Sequence, residues 1–592
     1  MVLSNNLLQR LPRWLLWVLV PLYAIPGLLM RDPWRAIDAN NFGVAATMAQ
    51  GDLSDWLAPN IYGLLYAEEG PLTYWLAASI GKVWLLLGGR TDWLDEVMRL
   101  SCLIWLMAIC WTVWSTAQRI AKRPEMQPLN PLSLPTIRSD YSYSIADCAV
   151  LCLLASLGLM VKSHQLVAEM PELLGVSIVA LAAVRSINRP ITAGWALGAG
   201  LCVIILARGW SHGIFIFGAM LLAALSSPMS RFGLGHRLVR ATIVVVGVLG
   251  LWALAVWHLS ASGPQYLKLW WAWNLNQFTD YNSPRPLFST ALQGLKTFAW
   301  FFWPAWPLTA WTLWSHRKNL SDGALKPPLA GFLGGLVGML FYDATSEGNF
   351  FPLLGLLSVL AALGLGTLRR SVISLIDWFA LFIFSITGAV VWLGWSAIMY
   401  GTPAGLVKNI RRLVPDFIPS VVAIELMLAM LVTLAWVLLL IWRVQKHPKA
   451  IWRSLALSCG GTTLVWLLMM TLWLPMINTN KSYATVAKQI QSQMKQHHPQ
   501  QAQACLSTMG LGFPQRASLA YLGDLNFEYS RAAQIQKQKS GSDACPWTLS
   551  YISFPKNAAV KTPNAPAGDW ILIWEGRRAS DKQELFRLYA RR

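Results

Sequence analysis

Apolar runs of 16 to 25 residues recur from Trp14 to about Leu474, each closed by a short polar segment. Such runs read as membrane-spanning helices, because lipid offers the backbone no hydrogen-bond partner and a helix satisfies its own. They predict spans near 14–30, 98–116, 144–160, 171–184, 191–207, 211–226, 241–258, 297–315, 328–341, 350–368, 372–397, 421–442 and 454–475, about thirteen in all. Residues 72–87 (LTYWLAASIGKVWLLL) decide the count: they are long enough to tempt a span, yet a crossing there would invert every later loop. They are read instead as an amphipathic helix along the outer interface, with Lys82 reaching water. Residues 31–97 then form one large outer loop.

Near Asn478 the pattern turns polar and takes on globular α/β periodicity. Residues 482–497 suit a helix, while 505–511, 547–554 and 569–576 suit strands, with LFRLYARR at the end as a fourth. The expected architecture is a polytopic α-helical membrane domain over 1–477 and a soluble α/β domain over 478–592. No internal repeat at a fixed period is visible.

Charge orients the chain. Net charge is +20, which by itself admits nucleic acid as a partner, but the basic residues punctuate the sequence rather than gather on one folded face. The segments 1–13, 117–143, 185–190, 227–240, 316–326, 369–370 and 443–453 hold 20 Lys/Arg and three acids, Glu125, Asp140 and Asp322. This positive-inside bias predicts a cytoplasmic N-terminus and a periplasmic C-terminal domain, in a bacterial inner membrane. Arg10 and Arg13 precede the first apolar run and no small-residue cleavage site follows it, so an uncleaved first helix is expected. Six of the eight cysteines fall in or near apolar helices, where a thiol packs. Cys505 and Cys545 lie in the soluble part, and a disulfide between them suits a periplasmic domain. No CxxC or His-rich pattern calls for a metal or other cofactor, although a divalent ion is left open.

The informative feature is where the acids stand. Acids beside spans usually line a cavity or face water, because lipid-facing ones are costly. Asp38 opens DANNFGVAATMAQGD, where a carboxylate at the outer interface can accept a proton from an attacking hydroxyl or amine. The plainer reading is an N-cap, worth about 1 kcal/mol. Glu169 and Glu172 lie in the next outward loop near His164; either glutamate reads equally as a solvated first-turn residue, and His164 as an ordinary interfacial one. Arg208 ends an apolar run as LARGW, a permanent cation suited to a lipid phosphate or to simple snorkelling. Lys268, Arg285, Arg411 and Arg412 are further cations that suit a cradle or the membrane surface. Asp147, Asp377 and Glu425 read as structural.

The stretch from Asp38 through MAQGDLSDWLAPNIYGLLYAEEGPLTYW (48–75) resembles the first outer loop of bacterial aminoarabinose transferases and their protein-mannosyltransferase-like relatives, enzymes of GT-C fold. Their loop ends in Tyr-x-Glu-Lys-Pro-Pro-Leu-x-Tyr-Trp; here it reads Tyr66-Ala67-Glu68-Glu69-Gly70-Pro71-Leu72-Thr73-Tyr74-Trp75. Arg99, opening the next span, also fits. Weaker echoes follow in order: LARGW resembles a Thr-Lys-Gly site with Arg208 in place of lysine, WWAWNLNQF (270–278) a Trp-x-Glu-His segment with Asn274 at the histidine, and SEGNFFPLLGLLSVLAAL (346–363) a Lys-Gly-Lys segment with Glu347 and Asn349 at the lysines. The family's Asp-Pro after the third span is Glu169-Met170-Pro171 here.

The resemblance implies a GT-C glycosyltransferase that takes a sugar from a polyprenyl-phosphate donor to an envelope glycolipid, glycan or protein acceptor, with membrane lipid around it and no nucleic acid. It implies Asp38 and Glu68 as the catalytic carboxylates and Arg208, Glu169, Glu69, Tyr66, Asn274 and Arg99 as substrate-binding residues. Two other readings stay open. A lipid-linked sugar flippase predicts paired inverted halves, and a non-catalytic relative would bind polyprenyl lipid without turning it over.

Overall fold

Helix dominates as far as Lys481, as the need to close backbone hydrogen bonds within each apolar segment requires. The computed structural model describes residues 11–592 apart from 35, 128–134, 187–188, 227–230, 232, 280–286, 319, 321–324, 342–345, 416, 447–450, 502, 530–544, 555–565, 567 and 579. Arg285 and Asp322 therefore lie outside the described residues. In chain order the first elements are α1 (Arg13–Ala24), α2 (Ile37–Gln50), α3 (Leu53–Leu57), the short strands β1 (Asn60–Ile61) and β2 (Leu64–Leu65), α4 (Leu72–Leu86), α5 (Leu94–Ala121), α6 (Pro135–Ala155), α7 (Leu157–Lys162), α8 (Glu169–Arg185), α9 (Pro190–Arg208) and α10 (Trp210–Leu225).

Further helices run through Leu234–Leu259, Gly263–Thr279, Leu287–Phe301, Ala305–Ser315, Lys326–Gly338, Leu354–Leu363, Arg370–Tyr400, Ala404–Leu413, Ala423–Lys446 and Arg453–Leu472. Among the described residues seven helices are long and apolar enough to cross a membrane by length and composition. Others of the expected spans are shorter or interrupted. The run 297–315 is split between Phe301 and Ala305, where Pro304 has no N–H to give. The run 144–160 breaks at Ser156. Of residues 72–87, Leu72–Leu86 form the helix α4, which buries Thr73, Tyr74, Ala77, Ala78 and Gly81 against its neighbours.

The bundle has an inside and a lipid-facing outside. Every residue of Leu354–Leu363 is buried, and α8 is buried along nearly its whole length. By contrast Arg370–Tyr400 and Ala423–Lys446 present Leu375, Phe382, Ile386, Met430, Leu434 and Leu438 outward, the surface a membrane covers.

The C-terminal part is a four-stranded sheet in the order β3-β4-β6-β5, with β3 (Leu506–Met509), β4 (Trp547–Ser553), β5 (Trp570–Gly576) and β6 (Glu584–Arg591). β3 and β4 are parallel and the other pairs antiparallel. All four expected strands and the helix, observed at Ala484–His497, are present. The Cys505–Cys545 disulfide, expected between the two cysteines of the C-terminal part, ties the starts of β3 and β4. The domain sits on the first loop through Phe513–Gly523: Ala517 packs against Gly43 of α2, Arg516 donates to the Tyr62 carbonyl at 3.3 Å, and the Tyr521 hydroxyl donates to Asp95 at 3.1 Å.

Asp377 has a structural part, as its place near a helix end predicted. It is buried, and its Oδ2 accepts from Arg443 Nη2 at 2.6 Å and lies 3.1 Å from Arg453 Nε, joining three helices. Asp377→Ala leaves two largely buried guanidiniums facing each other. We expect it to lower the unfolding free energy by about 3 kcal/mol, read as a fall in the detergent-solubilised melting midpoint, with Asn recovering part of the loss.

Candidate active site

The site begins at a break in a helix. α9 ends at Arg208 and α10 starts at Trp210, and Gly209 between them has φ +101°. A Cβ there would also lie 2.1 Å from Asn274 Oδ1, so only glycine fits both the backbone and the space. Asn274 itself is fully buried; its Oδ1 accepts from the Ser211 N–H and hydroxyl, and its Nδ2 donates to the Trp270 carbonyl. It braces the break that projects Arg208.

Arg208 is turned inward, with its side chain 12% exposed. Nη1 donates to Glu172 Oε2 at 3.1 Å and to the Gly348 carbonyl at 3.1 Å, and Nη2 to Asn349 Oδ1 at 3.3 Å. Its Nε is buried with no partner among the described residues. Glu169, one turn before Glu172 on α8, accepts from Lys162 Nζ at 2.8 Å on Oε1, while its Oε2 is buried with no partner among the described residues. Neither glutamate is a solvated first-turn residue: they are 2% and 1% exposed. The fit is close enough that a Cβ on Gly348 would lie 2.5 Å from Glu169 Oε1.

The first loop adds a third carboxylate. Gly70 N donates to the Ala207 carbonyl at 2.8 Å, and a Cβ on Gly70 would come 2.0 Å from the Leu206 oxygen. This seam fixes Glu69 beside Arg208. Glu69 is buried, and its Oε2 accepts from Asn41 Nδ2 and the Tyr74 hydroxyl, both at 3.2 Å. Burial, together with the nearby Glu169 carboxylate, pushes its proton affinity well above the usual carboxylate range. Its neighbour Glu68 is exposed and lies near the Tyr66 hydroxyl. Tyr66 is buried and edge-on to Phe513 of the α/β domain at 5.1 Å. Of the pair Glu68–Glu69, the second glutamate, not the first, enters the buried cluster.

Asp38 belongs to an adjoining node. It is buried, inside the first turn of α2 rather than capping it, and no side-chain cap bond forms. Oδ2 accepts from Arg31 Nη2 at 3.0 Å and Trp34 N at 3.1 Å, and Oδ1 from Leu166 N at 2.9 Å. Arg99 is fully buried in the same node, donating to the Arg31 carbonyl and to Asp95 Oδ2. The Leu166 peptide links the two nodes, because its carbonyl accepts from the same Asn41 Nδ2 that reaches Glu69, at 2.8 Å. His164 is buried, not interfacial, with hydrogen bonds to the Tyr23 and Met160 carbonyls.

The expected residues therefore fall into two joined groups: Glu69, Glu169 and Arg208 with Asn274 behind them, and Asp38 with Arg99. Glu172, Lys162, Asn41, Tyr74 and Asn349 complete them and were not singled out as binding residues. Asn349 was visible in the sequence only as a replacement for a family lysine. Arg411, Arg412 and Lys408 lie on the exposed face of Ala404–Leu413, where they suit a membrane surface. Among the described residues no three His, Cys, Asp or Glu side chains converge closely enough to hold a metal ion.

The buried state of Glu69 has a pH signature. Its proton affinity is raised in the folded chain, so the folded state holds a proton that the unfolded state has released, and stability falls as pH rises from the ordinary carboxylate range upward. Glu69→Gln, neutral throughout, is expected to match the native melting midpoint near about pH 5 and exceed it near about pH 9. Parallel midpoint-versus-pH curves for the two proteins would remove the raised affinity.

Neither a protein-family model nor a curated relative matches the sequence. Solved structures do. ArnT from Cupriavidus metallidurans, crystallised bound to undecaprenyl phosphate, superposes with a TM-score of 0.64 at 16% identity over 97% of this chain and 98% of that one. The apo form of the same protein gives 0.62 at 16% identity, covering 97% of each chain. Over 97% of its length the fold of this chain is the ArnT-like GT-C fold.

Proposed function

We propose that the protein is an integral-membrane glycosyltransferase that moves a sugar from a polyprenyl-phosphate-linked donor to an envelope acceptor. The acceptor would be lipid A or another glycolipid, a polysaccharide or a protein. Transfer takes place on the side of the membrane that carries the α/β domain, the periplasmic face of a bacterial inner membrane. One observation carries the reading. Four separate stretches that echo the family meet around Arg208, in a chain with the fold of a protein crystallised on undecaprenyl phosphate.

The acceptor oxygen attacks the anomeric carbon, the bond from that carbon to the phosphate oxygen breaks, and the bonding pair leaves on the phosphate. Arg208 neutralises the charge that grows there, the electrostatic part of the work. Two carboxylates compete for the acceptor's proton. Asp38 has both carboxylate oxygens taken by three donors, Arg31, Trp34 N and Leu166 N, an arrangement suited to holding the Leu166 peptide in place. Glu69 has two donors on one oxygen and a proton affinity moved toward neutrality, the range in which a general base works best. We assign proton transfer to Glu69 and positioning to Asp38.

The test is release of polyprenyl phosphate from a panel of polyprenyl-phosphate sugars by purified protein with crude envelope acceptor. Native protein should release it with a rate that climbs as pH rises. Glu69→Gln should lose about 100-fold or more together with that pH limb. Asp38→Asn should lose rate but keep the limb, and Glu68→Gln should stay near native. A limb lost in Asp38→Asn and retained in Glu69→Gln would return the base to Asp38. No release from any donor by folded native protein would sink the transferase reading.

A further inference from the structure

Three buried donors beside the Arg208 cluster carry no hydrogen bond. Trp252 lies toward the end of Leu234–Leu259, while Tyr266 and Trp270 lie one turn apart on a single face of Gly263–Thr279. They are 8%, 0% and 7% exposed, and Trp252 Nε1, the Tyr266 hydroxyl and Trp270 Nε1 are buried with no partner among the described residues. The fold satisfies other indoles: Trp466 gives its Nε1 to the Pro26 carbonyl at 2.7 Å, Trp473 to Val391 at 3.1 Å and Trp75 to Trp56 at 2.9 Å. A buried donor without an acceptor costs about 1–3 kcal/mol. Three of them in one cluster call for an acceptor from outside the chain.

Their position narrows what that acceptor belongs to. The three pack in one cluster with Ala67, two residues before Glu69, and Leu206, two before Arg208. Trp252 and Trp270 meet edge to face, with ring centroids 5.3 Å apart. The Trp270 carbonyl accepts from Asn274, the residue that braces the break at Gly209. Tyr266 is close enough to Tyr74 for the two to interact electrostatically, and Tyr74 donates to Glu69. The Ser54 and Ser260 hydroxyls, 2.8 Å apart, hold the first loop to the chain just past Leu259. The cluster therefore borders both the proposed base and the cation for the phosphate, and a sugar in transfer lies between those two.

Aromatic walls with a few directed donors suit a sugar ring, which offers C–H faces to the rings and oxygens to the N–H groups. An indole nitrogen only donates. Among the side chains of this cluster the Tyr266 hydroxyl alone can also accept. A hydroxyl placed here gains bonds, whereas an ammonium substituent would lose its hydration to a site made chiefly of donors. Gly263–Thr279 carries two of the donors as a surface layer, with Trp271 and Leu275 exposed on its outer side, so a shift of this one helix uncovers them. Building on the transferase reading, we propose that Trp252, Tyr266 and Trp270 bind oxygen substituents of the transferred sugar and select a hydroxylated sugar over an amino sugar.

The test measures binding to purified full-length protein in micelles, by native mass spectrometry, alongside release of undecaprenyl phosphate. The probes are undecaprenyl-phosphate glucose and mannose, undecaprenyl-phosphate aminoarabinose, and undecaprenyl phosphate alone. Native protein should bind the better hexose donor about tenfold more tightly than the aminoarabinose donor or the bare phosphate. Tyr266→Phe removes one oxygen and keeps the ring. It should weaken hexose-donor binding about fivefold or more and leave the bare phosphate within about twofold. It should not lower the melting midpoint of the ligand-free protein, whereas loss of a structural hydrogen bond would. Trp252→Phe should cut the hexose preference severalfold and guards against a Tyr266 variant that fails to fold. A native preference for the aminoarabinose donor or the bare phosphate, or a hexose preference unchanged in both variants, overturns the proposal. Selective hexose binding without any release upholds the sugar subsite and sinks the transferase reading, while release with no sugar preference does the reverse.

Discussion

A guanidinium turned into the apolar body of a membrane protein must find carboxylates and carbonyls there, since leaving water costs several kcal/mol per ion. Arg208 meets that demand with Glu172, the Gly348 carbonyl and Asn349, drawn from two elements distant in sequence. Much else follows. α9 has to stop at Arg208 for the side chain to turn inward, which requires the left-handed Gly209, and Asn274 has to cap the restarted helix. The first loop has to lie flat enough on α9 for Gly70 to reach Ala207, and that seam delivers Glu69.

Three carboxylates near two cations would be an unstable excess if all were ionised. Lys162 takes one face of Glu169 and Arg208 one face of Glu172, while burial beside Glu169 raises the proton affinity of Glu69. Burial therefore does two things with one arrangement: it holds the cluster together and raises the proton affinity of one member. The neighbouring Asp38 node has the opposite character, with its charge matched by Arg31 and two peptide N–H groups. Asn41 and the Leu166 peptide join the two nodes.

The α/β domain contributes to the same economy of positions. Its helix Phe513–Gly523 covers α2, and Tyr521 holds Asp95 beside Arg99, so the loop that carries Asp38 and Glu69 is clamped from the side away from the lipid.

The sequence by itself determined the helical membrane domain, the change to an α/β domain near Asn478, each of its four strands, the helix at 72–87 and the disulfide pair. These are set by period, composition and local turn chemistry, which are properties of neighbouring residues. It also marked the stretches that build the site, through Glu69, Glu169, Arg208, Asn274 and Asn349. Tertiary structure alone decided the rest: that Glu69 is buried and Glu68 exposed, that Glu172 pairs with Arg208, that Asp38 is saturated rather than capping, and that His164 is enclosed. Adjacent glutamates look alike in a sequence. Which of them loses water depends on a glycine seam to a helix more than a hundred residues away, and no local pattern carries that information.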